Sequence, residues 1–452
     1  MRYLDSPDNA FLTAEYAGTN MTVAGLIEVN GCIHQKVLEK ELERWSAEND
    51  RLRQRLVPGR GRFARPYWLP VGDDFDVRNH LTVCPIPGSL SAMYDDIGRL
   101  MEVPLSYDFP LWHVTAYQSK YDGPSSSSFL LFRVSHIVSD GQGLARTLAA
   151  LVTDRTPSCP NTSHKAGRQF HRRHVKGWPW RLLAYLMMFA IMIYNFVNML
   201  FHSRRSLRAP KRAVRHQVGF SSGVKVSEVK ELRHLSATSF NDVLVACAAT
   251  AIERHLIECG KLNNSRLMFM IPTSLRADHD SSLSNQSSAF TLSVPIGVHP
   301  TKRLAAVSRR MRRQKATIEP EIVYALAKRM FRWPFLWAPG AFLTEYCNDV
   351  IVTNVPGPAS SALYLGDMKI VAMTPVVCLS HHHTIGIGLL SLGDEVRISV
   401  HMKLDEHGDD HAVYRQNSAN HIADLVVRSF EELRDQIRSE CGATDFSKAK
   451  EL

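Results

Sequence analysis

The chain has no Cys-x-x-Cys pair: its eight cysteines (Cys32, Cys84, Cys159, Cys247, Cys259, Cys347, Cys378 and Cys441) are scattered over 452 residues. That spacing argues against a disulfide framework or a structural zinc. The N-terminus lacks a signal peptide's apolar run and opens instead with Arg2 and Asp5. A sequon such as Asn161-Thr-Ser is therefore expected to be idle, and the environment reducing and cytosol-facing. The largest gap is one of charge. No Asp or Glu occurs from Arg155 to Ser227, a window that holds 14 Lys and Arg residues. Set against a net charge of +10, this leaves −4 for the rest of the chain, so the basicity belongs to one segment rather than to the fold. The clusters near Arg172 and Arg204 bracket an apolar run and lack interleaved stacking aromatics, which disfavours nucleic acid.

That apolar run is residues 182–201 (LLAYLMMFAIMIYNFVNMLF), 20 residues without a charge between Arg181 and Arg204-Arg205. As a helix it is about 30 Å long, roughly one bilayer core. A spanning helix, a helix or hairpin lying in the membrane face, and a buried soluble helix all fit. Asn195 and Asn198 weaken the first, because amides in hydrocarbon are costly. The basic flanks suit anionic lipid headgroups.

On either side of this segment the pattern is α/β. Residues 22–29 read as a strand, 34–47 as a charged amphipathic helix, 112–117 as a strand and 144–152 as a helix. After residue 215 the expected elements are an apolar helix over 243–259, N-capped by Thr238 or Ser239, and strands at 267–271, 290–298 and 349–355. A hairpin across Gly393-Asp394 and a closing helix over 422–437 follow. With 45% apolar content the chain can build two domains. The expected division is an N-terminal half (1–156), a basic linker (157–214) and a C-terminal half (215–452).

The stretch Phe129-Leu-Leu-Phe-Arg-Val-Ser-His136-Ile-Val-Ser-Asp140-Gly141-Gln-Gly143 organises the rest. It places His136 and Asp140 on a tight connection between a strand and a helix. Histidine can take a proton near pH 7. The competing reading is a half-buried histidine closing a strand, with Asp140 as the helix N-cap.

In this order, further landmarks make the chain resemble the wax ester synthase/diacylglycerol acyltransferase family. They are Ser6-Pro-Asp-Asn-Ala-Phe-Leu, Met21-Thr-Val-Ala-Gly-Leu, Arg51-Leu-Arg-Gln-Arg-Leu-Val57, Asp74-Phe-Asp and Pro110-Leu111-Trp112. Ser135-His-Ile-Val-Ser-Asp-Gly141, Asn241-Asp242, Ile271-Pro-Thr-Ser-Leu-Arg276 and Thr353-Asn-Val-Pro-Gly-Pro358 complete the set. Ser135 stands where the family's first motif histidine is usual. The resemblance implies two halves of the CoA-dependent acyltransferase fold around a central tunnel with the histidine at its centre. Because both halves must share that tunnel, a monotopic or re-entrant disposition of 182–201 is favoured over a single crossing.

The implied reaction is acyl transfer from acyl-CoA, the co-substrate, to a long-chain fatty alcohol or diacylglycerol, with no other cofactor and no metal. His136 is the candidate base, and no Ser-His-Asp triad is involved. Asp140 is expected to turn away from His136 and pair with a cation across the core, for which Arg276 is the candidate. Gly141 is expected to leave room for the pantetheine arm, although turn geometry would also explain it. Asn241 is a candidate oxyanion or alcohol contact, or a helix cap, and Asp242 is expected to order the same helix start. Pro110, Leu111 and Trp112 are expected to pack the tunnel or the interface between halves. His381-His382-His383 cannot converge on one metal without an outside carboxylate or histidine, since successive strand residues point to opposite faces. The expected setting is membrane-associated and cytosol-facing, at the endoplasmic reticulum or a lipid droplet in a eukaryote and at the plasma membrane or in the cytoplasm in a bacterium. Another alcohol, a carrier-bound acyl donor or a lipid-droplet protein without turnover are the alternatives.

Overall fold

The computed structural model describes residues 2–59, 64–119, 126–155, 186, 190, 214–260, 262, 265–277, 280–317, 319–332, 350–360, 362–379, 383–405 and 418–448. The 182–201 segment lies outside these apart from Leu186 and Ala190, as does nearly all of the linker. Among the described residues no single helix is long and apolar enough to cross a membrane.

Residues 2–154 give β1 (Arg2–Tyr3), α1 (Ser6–Tyr16), β2 (Thr22–Asn30), α2 (Gln35–Ala47), β3 (Gln54–Val57), β4 (Tyr67–Pro70), β5 (Leu81–Pro85), α3 (Leu90–Glu102), β6 (Trp112–Gln118), β7 (Ser127–Ser135), α4 (Gly141–Leu151) and β8 (Thr153–Asp154). Residues 214–448 add β9 (Val214–Lys225), α5 (Val226–Leu235), α6 (Phe240–Glu258), β10 (Arg266–Ser274), β11 (Ser287–Pro295), α7 (Pro300–Lys315), α8 (Glu319–Met330), β12 (Val350–Val355), β13 (Leu363–Leu365), β14 (Met368–Val376), β15 (Ile385–Leu392), β16 (Glu395–Asp405) and α9 (Ser418–Lys448).

Two large sheets carry the molecule. One has the order β5-β6-β7-β2-β14-β13-β8 and the other β11-β10-β12-β15-β16-β9. The division of the chain in space differs from its division in sequence. β13 and β14 come late in the chain yet belong to the first sheet, where β14 pairs antiparallel with β2. Residues 363–376 thus lock the C-terminal part of the chain onto the N-terminal part.

β7 is central. It pairs antiparallel with β2 on one edge and β6 on the other. Its Phe129-Leu-Leu-Phe-Arg-Val run is buried on both faces, so it reads as a nearly continuous apolar stretch. One face meets Trp45 of α2, edge-on to Phe132 at 6.2 Å. The other face packs Phe129 and Leu131 against Met93, Ile97 and Met101 of α3. A strand clamped on both faces gives the residue that follows it a rigid base.

α6 starts in a capping box: the Ser239 hydroxyl accepts from the Asp242 amide, and the Asp242 carboxylate accepts from the Ser239 amide. Beyond that polar start its Val243–Ala249 stretch is apolar on every side and buried in the second half's core.

Candidate functional site

Between the two sheets lies a cavity of about 2910 Å³. Val23 and Val134 of the first sheet and Met270 and Ile351 of the second line it, and so does His136. The volume is several times that of a drug-sized ligand site, which runs to roughly 1,000 Å³.

His136 follows β7 directly and is half-buried. Its amide donates to the Met21 carbonyl at 2.8 Å, so the residue leading into β2 ties down the backbone. Its ring stacks on Phe11 of α1, with centroids 3.9 Å apart and planes 14° from parallel. Nδ1 lies 2.9 Å from Asn285 Oδ1. Burial pushes the His136 pKa below its ordinary value, and the charge of Asp140 opposes this only in part. The ring is therefore neutral at pH 7, the form that can accept a proton.

Asn285 is buried and connected on every side. Its Nδ2 donates to Asp8 Oδ1 at 2.9 Å and to the His136 carbonyl at 2.7 Å. Its backbone amide also donates to Asp8 Oδ1, at 2.9 Å. Asp8 lies in α1 with Oδ2 3.5 Å from Arg51 Nη1. Burial raises the Asp8 carboxyl to about 6 despite that guanidinium.

Asp140 points elsewhere. Its Oδ1 accepts from the Gly143 amide at 2.8 Å, which makes it the N-cap of α4. Its Oδ2 accepts from Arg276 Nη2 at 3.1 Å and from the Gln286 amide at 2.8 Å. Arg276 is wholly buried and also donates to the carbonyls of Ser282, at 2.6 Å, and Ser284. The ion pair fastens the start of α4 to the loop after β10, across the two halves. Helix capping and cross-core pairing thus coexist in one carboxylate.

Gly141 lines the cavity, and its φ is not positive, so turn geometry does not require glycine there. A Cβ at Gly141 would meet Val355 at an ordinary 3.8 Å. Gly143 is the constrained position: a Cβ there would lie 2.2 Å from Ser139 Oγ and 2.9 Å from Arg276 Nη2. Ser135 is buried, and its hydroxyl donates to Glu15 at 3.2 Å while accepting from the Ile137 amide at 3.3 Å. It shapes the turn that presents His136.

Asn241 lines the cavity, and its Oδ1 is buried with no hydrogen-bond partner. The cap of α6 is Ser239, which corrects the reading of Asn241 as a cap. Asp242 serves the capping box and lies behind the cavity wall. A second correction concerns Pro110, Leu111 and Trp112, none of which lines the cavity. Leu111 and Trp112 are in the first half's core, and Trp112 Nε1 donates to the Leu52 carbonyl at 2.8 Å. The indole stacks on His80 at 4.2 Å and meets Trp45 edge-on at 5.2 Å. This motif reaches the site only through backbone, the Leu111 carbonyl accepting from the Ser135 amide at 3.0 Å.

His383 is buried on the cavity wall, while His381 and His382 lie outside the described residues. His255, Glu258 and His421 bring ligand atoms within 4.8 Å of one another where α6 meets α9, away from the cavity.

Residues 4–248 match the profile of the wax ester synthase/diacylglycerol acyltransferase catalytic domain, and residues 283–420 match the WS/DGAT C-terminal domain. The chain belongs to this family. A Mycobacterium tuberculosis (strain ATCC 25618 / H37Rv) protein with the provisional name diacylglycerol O-acyltransferase is 23% identical over 433 residues, covering 88% of this chain and 85% of its own. Among solved structures, the wax ester synthase/diacylglycerol acyltransferase from Marinobacter aquaeolei VT8 superposes with a TM-score of 0.66 at 18% identity, over 97% of this chain and 100% of its own. The first condensation domain of the calcium-dependent antibiotic synthetase gives a TM-score of 0.57 at 14% identity, with 96% of each chain covered. At those identities the structural matches speak for the fold. They place this family member among mixed α/β acyltransferase and condensation-domain structures.

Asp8, Phe11 and Asn285 are the functional-site residues that sequence reasoning missed. Asp8 and Phe11 sit inside the quoted Ser6-Pro-Asp-Asn-Ala-Phe-Leu landmark, where they read as an ordinary helix start. Asn285 lies in the Ser-rich stretch Asp280-Ser-Ser-Leu-Ser-Asn285-Gln and carries no local signal.

Proposed function

We propose that this protein esterifies a long-chain fatty alcohol or diacylglycerol with the acyl group of acyl-CoA, and that His136 is the general base. The observation that supports this reading is a neutral histidine, held from both halves of the fold, on the wall of a large and mainly apolar cavity.

In the proposed step the neutral imidazole takes the acceptor's hydroxyl proton as the alcohol oxygen attacks the thioester carbonyl carbon. A tetrahedral oxyanion forms, towards which the Asn241 amide group donates. When the intermediate collapses, the C–S bond breaks, and the imidazolium returns its proton to the departing CoA thiolate. The ester and free CoA leave. Protons balance between acceptor and thiol, so the reaction draws on neither metal nor further cofactor. The cavity acts as the tunnel in which acyl chain and acceptor meet, and Gly141 keeps its wall low beside the thioester. The basic linker and its uncharged core hold the enzyme, monotopically, on a cytosol-facing membrane or lipid-droplet surface.

The test uses membranes from a host that makes no neutral lipid, supplied with labelled palmitoyl-CoA and either hexadecanol or diacylglycerol, with His136→Ala in parallel. Label in wax ester or triacylglycerol that falls at least 1,000-fold in the variant is expected, on the order of general-base contributions. Full activity in the variant overturns the base assignment, and absence of product from both acceptors overturns the substrate class. Fractionation in the same preparation checks the location: a protein wholly in the supernatant contradicts surface attachment.

A further inference from the structure

We infer that Asp8 and Asn285 are positioning residues that hold His136 in a single tautomer, with its proton on Nδ1 and the Nε2 lone pair available to the acceptor hydroxyl. The inference deepens the reading of His136 as base and rests on it for its catalytic meaning.

The argument is one of donors and acceptors. A side-chain amide has one acceptor atom and one donor group. The Asn285 nitrogen faces the Asp8 carboxylate at 2.9 Å and the His136 carbonyl at 2.7 Å. Both are acceptors, so the amide cannot be turned the other way. Its oxygen is then the atom 2.9 Å from His136 Nδ1, and a neutral ring facing an acceptor there must carry its proton on Nδ1. Nε2 is left unprotonated.

The amide is itself immobilised, because Asp8 Oδ1 receives both its side-chain and its backbone N–H. Asp8 and Phe11 are three residues apart in α1 and so share one helix face. That face supplies both the anchor for the amide and the ring that stacks on His136 at 3.9 Å. The charged groups around the imidazole are Asp140, paired with Arg276, and Asp8, which faces Arg51. Neither carboxylate is a hydrogen-bond partner of the His136 ring, so the tautomer is set by uncharged acceptors, the His136 backbone and Asn285 Oδ1, of which Asn285 is the one a side-chain substitution can remove. The relay joins the N-terminal helix, the β7–α4 turn and the loop between β10 and β11.

The experiment has a readout independent of turnover. Long-range ¹H–¹⁵N spectra of the full-length protein labelled at histidine, with His136 assigned by its loss in His136→Gln, report which ring nitrogen is protonated. The wild type is expected to show the Nδ1–H form, and Asn285→Ala a shift towards Nε2–H. With Asn285→Ala, kcat is expected to fall about 100-fold while the KM for acyl-CoA stays within threefold. Asn285→Asp keeps an acceptor at Nδ1, and its second oxygen, set against the Asp8 carboxylate where the amide nitrogen was, shares a proton with it. It should retain the Nδ1–H form and restore kcat to within tenfold of wild type, a rescue that a merely structural role does not produce. A wild-type spectrum with the proton on Nε2 overturns the proposal, as does a folded Asn285→Ala enzyme with kcat within threefold of wild type. If Asn285→Ala does not fold, the wild-type spectrum and Asn285→Asp decide. A wild-type Nδ1–H spectrum together with an active His136→Ala enzyme would keep the tautomer lock and refute the base assignment alone.

Discussion

Replacing Asp140 with alanine separates support from chemistry at this site. Two losses follow from the structure. The α4 N-cap disappears with the Oδ1 acceptor of the Gly143 amide, at a cost of about 1 kcal/mol. Arg276, fully buried, loses its carboxylate at 3.1 Å. Breaking a buried pair from one side costs roughly 3–5 kcal/mol. The lower end applies, because Arg276 keeps the Ser282 and Ser284 carbonyls and a weaker contact with Asp280 at 3.5 Å. The combined loss is about 4 kcal/mol. An unfolding entropy of about 2.1 cal/mol/K per residue converts this to a melting temperature about 4 °C lower, if the chain unfolds in one transition. Asp140→Asn keeps the cap but turns an NH₂ towards Arg276 and the Gln286 amide, so it should fall by about 3 °C. Replacing both partners, as Asp140→Leu with Arg276→Met, removes the unpaired charge and should melt above Asp140→Ala. Calorimetry with parallel turnover measurements reads all three. If Asp140→Ala abolishes turnover while its melting temperature stays within 1 °C of wild type, the supporting role is refuted and Asp140 acts on His136 directly.

The two glycines of the turn predict opposite phenotypes. Gly143→Ala forces a Cβ to within 2.2 Å of Ser139 Oγ and 2.9 Å of Arg276, so it should lower the melting temperature by several degrees. Gly141→Ala has space beside Val355 at 3.8 Å, so it should leave stability within 1 °C and lower kcat/KM through the cavity wall. Equal melting temperatures for the two variants would contradict this assignment. The depressed pKa of His136 sets the pH dependence: a base with its pKa below 6.5 stays neutral until the pH falls beneath that value. The acid limb of kcat/KM should therefore be centred below pH 6.5, and an acid limb centred above 6.5 would count against His136 as the base.

The local elements were legible in the chain because their signals are local. The run before His136, the Gly141 and Gly143 breaks and the apolar periodicity of 144–152 locate a strand, a turn and a helix without reference to anything else. Ser239 and Asp242 likewise announce the start of α6 within four residues. Pairing at Gly393-Asp394 depends only on its own two flanks, and β15 and β16 form that hairpin in register from Ile385↔Met402 to Leu392↔Glu395.

What the chain alone did not decide is which distant residues meet. Trp112 reads as packing the tunnel or the interface between halves, but the side of β6 it occupies faces Trp45 and His80 in the core, and strand register rather than residue type sets that side. β13 and β14 gave no sign of leaving their own half, since a strand's alternation does not say which sheet it will join. Asp8 and Asn285 are separated from His136 by more than a hundred residues each, and neither type is unusual in a helix start or a polar loop. They become part of the site because α1 and the β10–β11 loop close over the turn after β7, where buried donors and acceptors must find partners. Sequence placed the histidine at the end of its strand; packing chose the groups that surround its ring.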